Sequence, residues 1–193
     1  PLARFAAQHI GSLGTPLKRY HIASVWRGEN TQRGRYREFM QCDFDTIGTL
    51  SVVADIETGL VIHDLMQALG FNQFTIKINN RAILNGLLEK LNLVSQSTAI
   101  LRALDKLPKI GPEKVIQEMV AVAGTTDQQA AEVLQLTEVN GTNEQILTQI
   151  APLMSGSETG EEGLERLTTV VQGIAAAGVR DEFITLDVSI ARG

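Results

Sequence analysis

Two strand-like runs joined by a polar loop lie near the amino end of the chain, and they constrain its fold more than any other feature. The first run covers residues 18–28 and the second residues 35–47, and both are rich in β-branched and aromatic residues. The loop between them, residues 29–34, is polar and charged. This pattern predicts an antiparallel β-hairpin.

Side chains alternate between the two faces of a strand, so the second run sorts into two sets. The odd-numbered set is polar and comprises Arg35, Arg37, Phe39, Gln41, Asp43 and Asp45. The even-numbered set is mostly apolar and comprises Tyr36, Glu38, Met40, Cys42 and Phe44. We expect the apolar set to cover a core, with Cys42 as a buried structural thiol.

The polar set has two interpretations. A solvated sheet face with cross-strand ion pairs would carry the same residues. A binding face would use them differently, because guanidinium groups suit phosphate oxygens and an aromatic ring suits a base. Carboxylates and an amide would then accept hydrogen bonds from an ammonium group. Alternation alone leaves both interpretations open.

Two segments resemble signature motifs of a known family. The run WRGENTQRGRYREFMQCDFDTIG, residues 26–48, resembles the second motif of class II aminoacyl-tRNA synthetases in its histidyl form. The run LDVSIARG, residues 186–193, resembles the opening of the histidine-specific signature of that family. The resemblance implies an α+β fold, in which an antiparallel class II sheet with flanking helices is interrupted by a small all-helical domain. On this comparison residues 1–80 and 179–193 belong to the catalytic core and residues 81–178 to the inserted domain.

The resemblance also implies four positions for ATP. Arg27 matches the arginine that holds the α-phosphate, and Glu29 matches the acid near the adenine amino group. Arg35 matches the arginine that reaches toward the terminal phosphate, and Phe39 matches the ring on which adenine stacks.

Three further positions follow from the same comparison. Gln41 and Asp45 match residues beside the bound histidine, and Arg192 matches the arginine of the histidine-specific signature at the α-phosphate. Arg27 and Arg192 are therefore the expected catalytic residues. The acid at Asp45 would orient either the imidazole or the ammonium group of the substrate.

The implied reaction is activation of histidine by ATP, supplied with Mg²⁺, to histidyl-adenylate, followed by transfer to tRNA(His). The parent protein is expected to be a cytoplasmic homodimer, and this piece alone to be at most weakly active, because the first and third class II motifs are not found in it. The alternative is a regulatory paralogue without aminoacylation activity, such as the regulatory subunit of ATP phosphoribosyltransferase in histidine biosynthesis. Retention of many phosphate-binding positions favours the enzyme.

Composition limits the other possibilities. With 44% hydrophobic and 20% charged residues, the chain is typical of folded water-soluble proteins, and it has no apolar run long enough for a membrane span. Its net charge of −5 argues against broad electrostatic binding of nucleic acid. One cysteine and three scattered histidines lack the spacing of metal ligands, so no protein-bound metal is expected.

The rest of the chain reads mainly as helices between two strands. The strand patterns cover residues 71–79 and 183–191. Helical patterns cover residues 49–68, 81–91, 95–106, 112–123, 126–137, 143–154 and 160–177. Breakers between the later helices predict a small bundle inserted between two strands of a sheet.

Overall fold

The structure is a computed structural model that describes residues 2–190. The chain forms two compact units, and the boundary lies between Ala54 and Asp55. Helices and strands both occur, as the α+β prediction requires. Arg192, one of the expected catalytic residues, lies outside the described residues.

The first unit contains a helix and a hairpin. Helix α1 spans Leu2–Leu13, strand β1 spans Leu17–Trp26 and strand β2 spans Glu38–Ile47. The helix ends where Gly14, at φ 79°, donates its backbone N–H to the carbonyl of Ile10. Glycine accommodates this left-handed backbone without the steric cost that a side chain would add.

The predicted hairpin is present, with shorter strands and a longer loop than the sequence pattern suggested. Strands β1 and β2 pair antiparallel from Leu17 opposite Ile47 to Trp26 opposite Glu38. The loop therefore covers residues 27–37. At its tip Gln32 and Arg35 exchange two backbone hydrogen bonds, of 3.1 and 2.8 Å.

The even-numbered face of the hairpin is exposed, so the prediction of a buried Cys42 is wrong. Its neighbours on this face are exposed as well, including Tyr20 at 77%, Trp26 at 70% and Met40 at 66% of their surface. The alternation of apolar and polar residues was correct, but within residues 2–54 these side chains stay exposed.

The second unit contains the other two strands. Helix α2 spans Val53–Ala68, strand β3 spans Ile76–Ile78 and strand β4 spans Ile184–Leu186. The two strands pair in parallel, which the long helical segment between them allows. Both are shorter than predicted. Strand β4 ends because the Asp187 carboxylate accepts the backbone N–H of Ser189 at 3.1 Å and forms a turn.

Helices fill the segment between these strands. Within residues 81–176 the α-helices are α3 Arg81–Lys90, α4 Ser97–Leu104, α5 Leu107–Ile110, α6 Pro112–Glu118, α7 Asp127–Thr137, α8 Asn143–Met154 and α9 Glu158–Ala176. Helix α5 was not predicted, because Pro108 was interpreted as a breaker. Proline is tolerated in the first turn of a helix, where its missing N–H has no partner to lose.

The core of the second unit lies among these helices. Its fully buried side chains include Ile83, Ile100, Met119, Ile150 and Met154. Helices α7 and α8 each begin with a capping box, in which a threonine and a glutamine satisfy each other's backbone N–H groups. Across residues 2–190, each helix is too short or too polar to cross a bilayer.

Candidate functional site

The candidate site lies on the odd-numbered face of the hairpin. The pairing of the strands places Val25 opposite Phe39, Ala23 opposite Gln41 and Arg19 opposite Asp45. Cross-strand partners share a face, so residues from both strands meet there. The even-numbered residues of β2 lie on the other side.

A chain of polar contacts runs across this face, and we call it the polar network. Arg27 Nη2 donates to Gln41 Oε1 at 2.7 Å, and Gln41 Nε2 donates to Asp43 Oδ2 at 3.4 Å. The Arg19 guanidinium then contacts both acids, with Nη1 at 3.3 Å from Asp43 Oδ1 and Nη2 at 2.5 Å from Asp45 Oδ2. The network thus joins one predicted phosphate-binding arginine to both predicted histidine-binding residues.

A cavity of about 240 Å³ lies at the loop end of the hairpin. It is lined by Arg27, Glu29, Gly34, Arg35, Tyr36 and Phe39. The four residues predicted for ATP are therefore gathered around one space. Ligand pockets commonly measure about 300–1,000 Å³, so this space suits part of a nucleotide.

Alternation did not predict Tyr36 correctly, since Tyr36 was assigned to the opposite face from Arg35 and Phe39. Strand β2 begins only at Glu38, so Arg35 and Tyr36 belong to the loop and their side chains do not follow the pleat. Arg35 reaches the cavity through the loop, where its Nε lies 3.1 Å from Glu29 Oε2.

Two contacts within the cavity region bear on what the side chains can do. The Arg27 guanidinium carbon lies 5.1 Å from the centre of the Phe39 ring, which is a cation–π distance. The ring face under Arg27 is therefore covered in this structure. Arg37 Nε donates to the Glu29 carbonyl at 3.3 Å and helps to hold the loop closed.

Arg19 and His21 were missed as site residues. His21 Nδ1 lies 3.5 Å from Asp43 Oδ1, and Arg19 contacts the same carboxylate. They precede the motif that carries the resemblance, and only the cross-strand pairing brings them to this face. A prediction of how β1 pairs with β2 would have identified these two residues as part of the site.

The cavity carries two guanidinium groups, those of Arg27 and Arg35. Among residues 2–190, no group of three or more His, Cys, Asp or Glu side chains is arranged to hold an ion. Two arginines at the cavity fit phosphate oxygens, because guanidinium groups keep their charge and donate in a planar pair. Magnesium is commonly held by substrate phosphates with few protein ligands, so it can arrive with the nucleotide.

Comparison with known proteins gives a consistent result. A family model described as histidyl-tRNA synthetase matches residues 1–193. The histidine–tRNA ligase of Rhodopirellula baltica is 60% identical over 193 residues, which is all of this chain and 44% of that protein. The ligase of Clostridium tetani is 39% identical over 195 residues, again across all of this chain and 44% of its own length. The chain therefore spans less than half the length of these relatives.

Solved structures agree on the fold. The crystal structure of histidyl-tRNA synthetase from Nostoc sp. PCC 7120 matches all of this chain and 44% of its own, with a TM-score of 0.90 and 32% identity. A structure named as an ATP phosphoribosyltransferase regulatory subunit/histidyl-tRNA synthetase from Bacillus halodurans matches with a TM-score of 0.78 at 22% identity, over 98% of this chain and 48% of that one, which supports the fold alone. The predicted fold class is confirmed, and the chain belongs to the histidyl-tRNA synthetase family.

Proposed function

We propose that this chain forms part of the catalytic unit of a histidine–tRNA ligase, which activates histidine with ATP and transfers it to tRNA(His). One observation carries the proposal: Arg27, Glu29, Arg35 and Phe39 line a single cavity, and Arg27 connects that cavity to Gln41 on the same sheet face. Relatives named histidine–tRNA ligase, at up to 60% identity over the whole chain, support the same activity over that of the regulatory paralogue.

The nucleotide half of the site uses the cavity. Adenine stacks on Phe39 with its amino group toward Glu29, and Arg35 turns from Glu29 to the terminal phosphate. Arg27 leaves the Phe39 ring for the α-phosphate, and the lost cation–π contact costs about 0.5–1 kcal/mol at an exposed position. A charge-assisted contact with phosphate offsets that loss.

Activation is an in-line attack of the histidine carboxylate on the α-phosphate, with pyrophosphate leaving. Two anions must approach each other, so the protein's main contribution is to position them and to neutralise their charge. Arg27 supplies this charge from the hairpin, and Arg192 is proposed to supply a second cation. The Mg²⁺ that accompanies ATP neutralises its phosphates when bound.

The histidine half of the site uses the polar network. Gln41 and Asp45 are four positions apart on one strand and face the same way, so both can accept hydrogen bonds from one amino acid. Gln41 already contacts Arg27, which places the amino-acid side next to the phosphate side. Asp45 is the acid for the ammonium or imidazole group of histidine.

The remaining proposals concern the whole protein, of which the relatives are more than twice as long. We assign residues 1–80 and 179–193 to the catalytic core and residues 81–178 to an inserted helical domain that contacts tRNA(His). A homodimer and a cytoplasmic location accompany the proposed ligase activity.

The test is histidine-dependent exchange of labelled pyrophosphate into ATP, measured on the full-length protein that contains these residues. Exchange that requires histidine, together with charging of tRNA(His), is the expected result. Absence of histidine-dependent exchange in a folded protein would overturn the proposal. Binding of histidine without exchange or charging would favour the regulatory paralogue.

A further inference from the structure

The structure points to a residue outside the recognised motif that organises the acidic part of the site. Arg19 lies on β1, eight positions before Arg27, and its side chain is 23% exposed. Its guanidinium contacts Asp43 and Asp45 together. We propose that Arg19 is a positioning residue for histidine binding, which fixes the two carboxylates and balances their charge; this rests on the proposed function.

The geometry makes Arg19 the common partner of both acids. Asp43 and Asp45 are two positions apart on the same face of β2, so their negative charges would repel each other if no cation lay between them. A guanidinium can contact two carboxylates at once through its two terminal nitrogens, which a lysine ammonium does with less geometric control. Here Arg19 Nη1 donates to Asp43 Oδ1 at 3.3 Å, while Nη2 lies 2.5 Å from Asp45 Oδ2 and 3.4 Å from Asp43 Oδ2.

The guanidinium also depends on those acids. Its Nε is buried and has no hydrogen-bond partner among the described residues, so the pairs with Asp43 and Asp45 hold the group in place. The Asp45 contact uses Oδ2, which is buried and has no hydrogen bond among the described residues, so its ion pair with Arg19 helps to hold this carboxylate in place. His21 also faces these acids, with Nδ1 at 3.5 Å from Asp43 Oδ1.

The effect of Arg19 extends along the network. Asp43 accepts from Gln41, and Gln41 accepts from Arg27. Removal of the guanidinium would release Asp43 and Asp45 and disturb the hydrogen bond from Gln41 Nε2 to Asp43, while Gln41 Oε1 would keep its contact with Arg27. The cavity that holds Glu29, Arg35 and Phe39 does not include Arg19, so ATP binding should be affected much less.

A neighbouring space gives a ligand room on the Arg19 side. Arg19, His21 and Asp43 line a cavity of about 510 Å³ within the first unit, together with Leu2 and Phe5 of α1. A volume of this size lies within the usual range for small-molecule sites. Loss of the Arg19 charge would therefore change the electrostatic environment of an amino acid bound beside it.

The test compares Arg19→Leu and Arg19→Lys with Arg4→Leu, a control at an exposed arginine of α1 in the same unit. In the exchange assay Arg19→Leu should raise the KM for histidine about tenfold, a typical coupling within one salt-bridge network. Arg19→Lys should give a smaller increase, because it restores the charge but not the planar geometry. The KM for ATP should be unchanged in all three variants.

A second measurement does not depend on activity. The side-chain amide signals of Gln41, observed by NMR in the unliganded protein, should shift in Arg19→Leu and remain in place in Arg4→Leu. Equal increases in both KM values, or an unchanged KM for histidine, would overturn the proposal, as would unshifted Gln41 signals. Loss of exchange in the unsubstituted protein would instead contradict the proposed ligase activity, while the NMR result would still decide whether Arg19 orders the network.

Discussion

Arg27 Nη2 lies 2.7 Å from Gln41 Oε1, so a residue just beyond the end of β1 is tied to the middle of β2. This contact joins the proposed phosphate and amino-acid sides of the site. It also means that Arg27 is held over the sheet face before any substrate binds.

The first prediction concerns Arg27 itself. Substitution Arg27→Ala removes a cation that is placed to stabilise charge at the α-phosphate, and it should lower the rate of histidine-dependent exchange by about 100-fold or more, as loss of one preorganised donor commonly does. Arg102→Ala, at an exposed position of α4, is the control and should leave the rate unchanged. A similar rate in both variants would remove Arg27 from the mechanism.

The second prediction concerns the Phe39 ring. Phe39→Leu keeps an apolar side chain but removes the flat surface for adenine, and stacking on an aromatic side chain contributes about 1–3 kcal/mol per base. The KM for ATP should therefore rise by about five- to 150-fold while the KM for histidine changes little. Met40→Leu, on the opposite face of the same strand, is the control. Unaltered ATP dependence in Phe39→Leu would place adenine elsewhere.

In the hairpin, the sequence predicted the faces of the strand residues correctly but not those of the loop residues. Alternation correctly placed Phe39, Gln41, Asp43 and Asp45 on one face, because all four lie within β2. It failed for Tyr36, which lies in the loop and lines the cavity with Arg35. The roles that the family resemblance assigns to these residues stay predictions.

The contribution of β1 could not be predicted because the loop is irregular. The pairing of Gln32 with Arg35 at the tip, if continued regularly, would put Arg19 opposite Gly48. The structure puts Arg19 opposite Asp45, so extra residues in the loop shift the register by three positions. Unpaired residues of this kind leave no clear pattern in the sequence.

In the helical unit, the sequence indicated most helices but not how closely they approach one another.

The third prediction concerns the crossing of α3 and α9. A Cβ atom added at Gly86 would lie 2.4 Å from the Gly160 Cα, so Gly86→Ala forces two backbones apart. The gain in helix propensity, about 1 kcal/mol, is smaller than this strain, and a net loss of about 1–3 kcal/mol is expected.

Chemical unfolding of Gly86→Ala measures this loss. Glu162→Ala is a matched control, because it makes a small change at an exposed position of α9 and should alter the free energy of unfolding by less than about 0.5 kcal/mol. A Gly86→Ala protein as stable as the unsubstituted one would show that the helices can separate without cost.

The fourth prediction concerns Asp187, at the end of β4. Burial raises the pKa of Asp187, but hydrogen bonds from Ser189 and Lys77 outweigh it and hold the pKa below the ordinary value of 3.8. Lys77 Nζ lies 2.9 Å from the carboxylate. A lowered pKa in the folded state contributes stability that is present above pH 3.8 and lost as the pH falls through the folded value.

Asp187→Asn should therefore be less stable than the unsubstituted protein at pH 7, and the difference should shrink as the pH is lowered below 3.8. Urea unfolding at neutral and acidic pH measures both quantities. A difference that stays constant across this range would show that the carboxylate charge does not stabilise the folded state.

In the proposed function, one face of the hairpin holds both substrates of histidine activation. NMR titration with a non-hydrolysable analogue of histidyl-adenylate tests it most directly, because side-chain signals report from each face separately. We expect saturable shifts of the Phe39 ring and the Gln41 side-chain amide, with the Met40 methyl signal unmoved. Shifts of Met40 with unmoved Phe39 and Gln41 signals would contradict it.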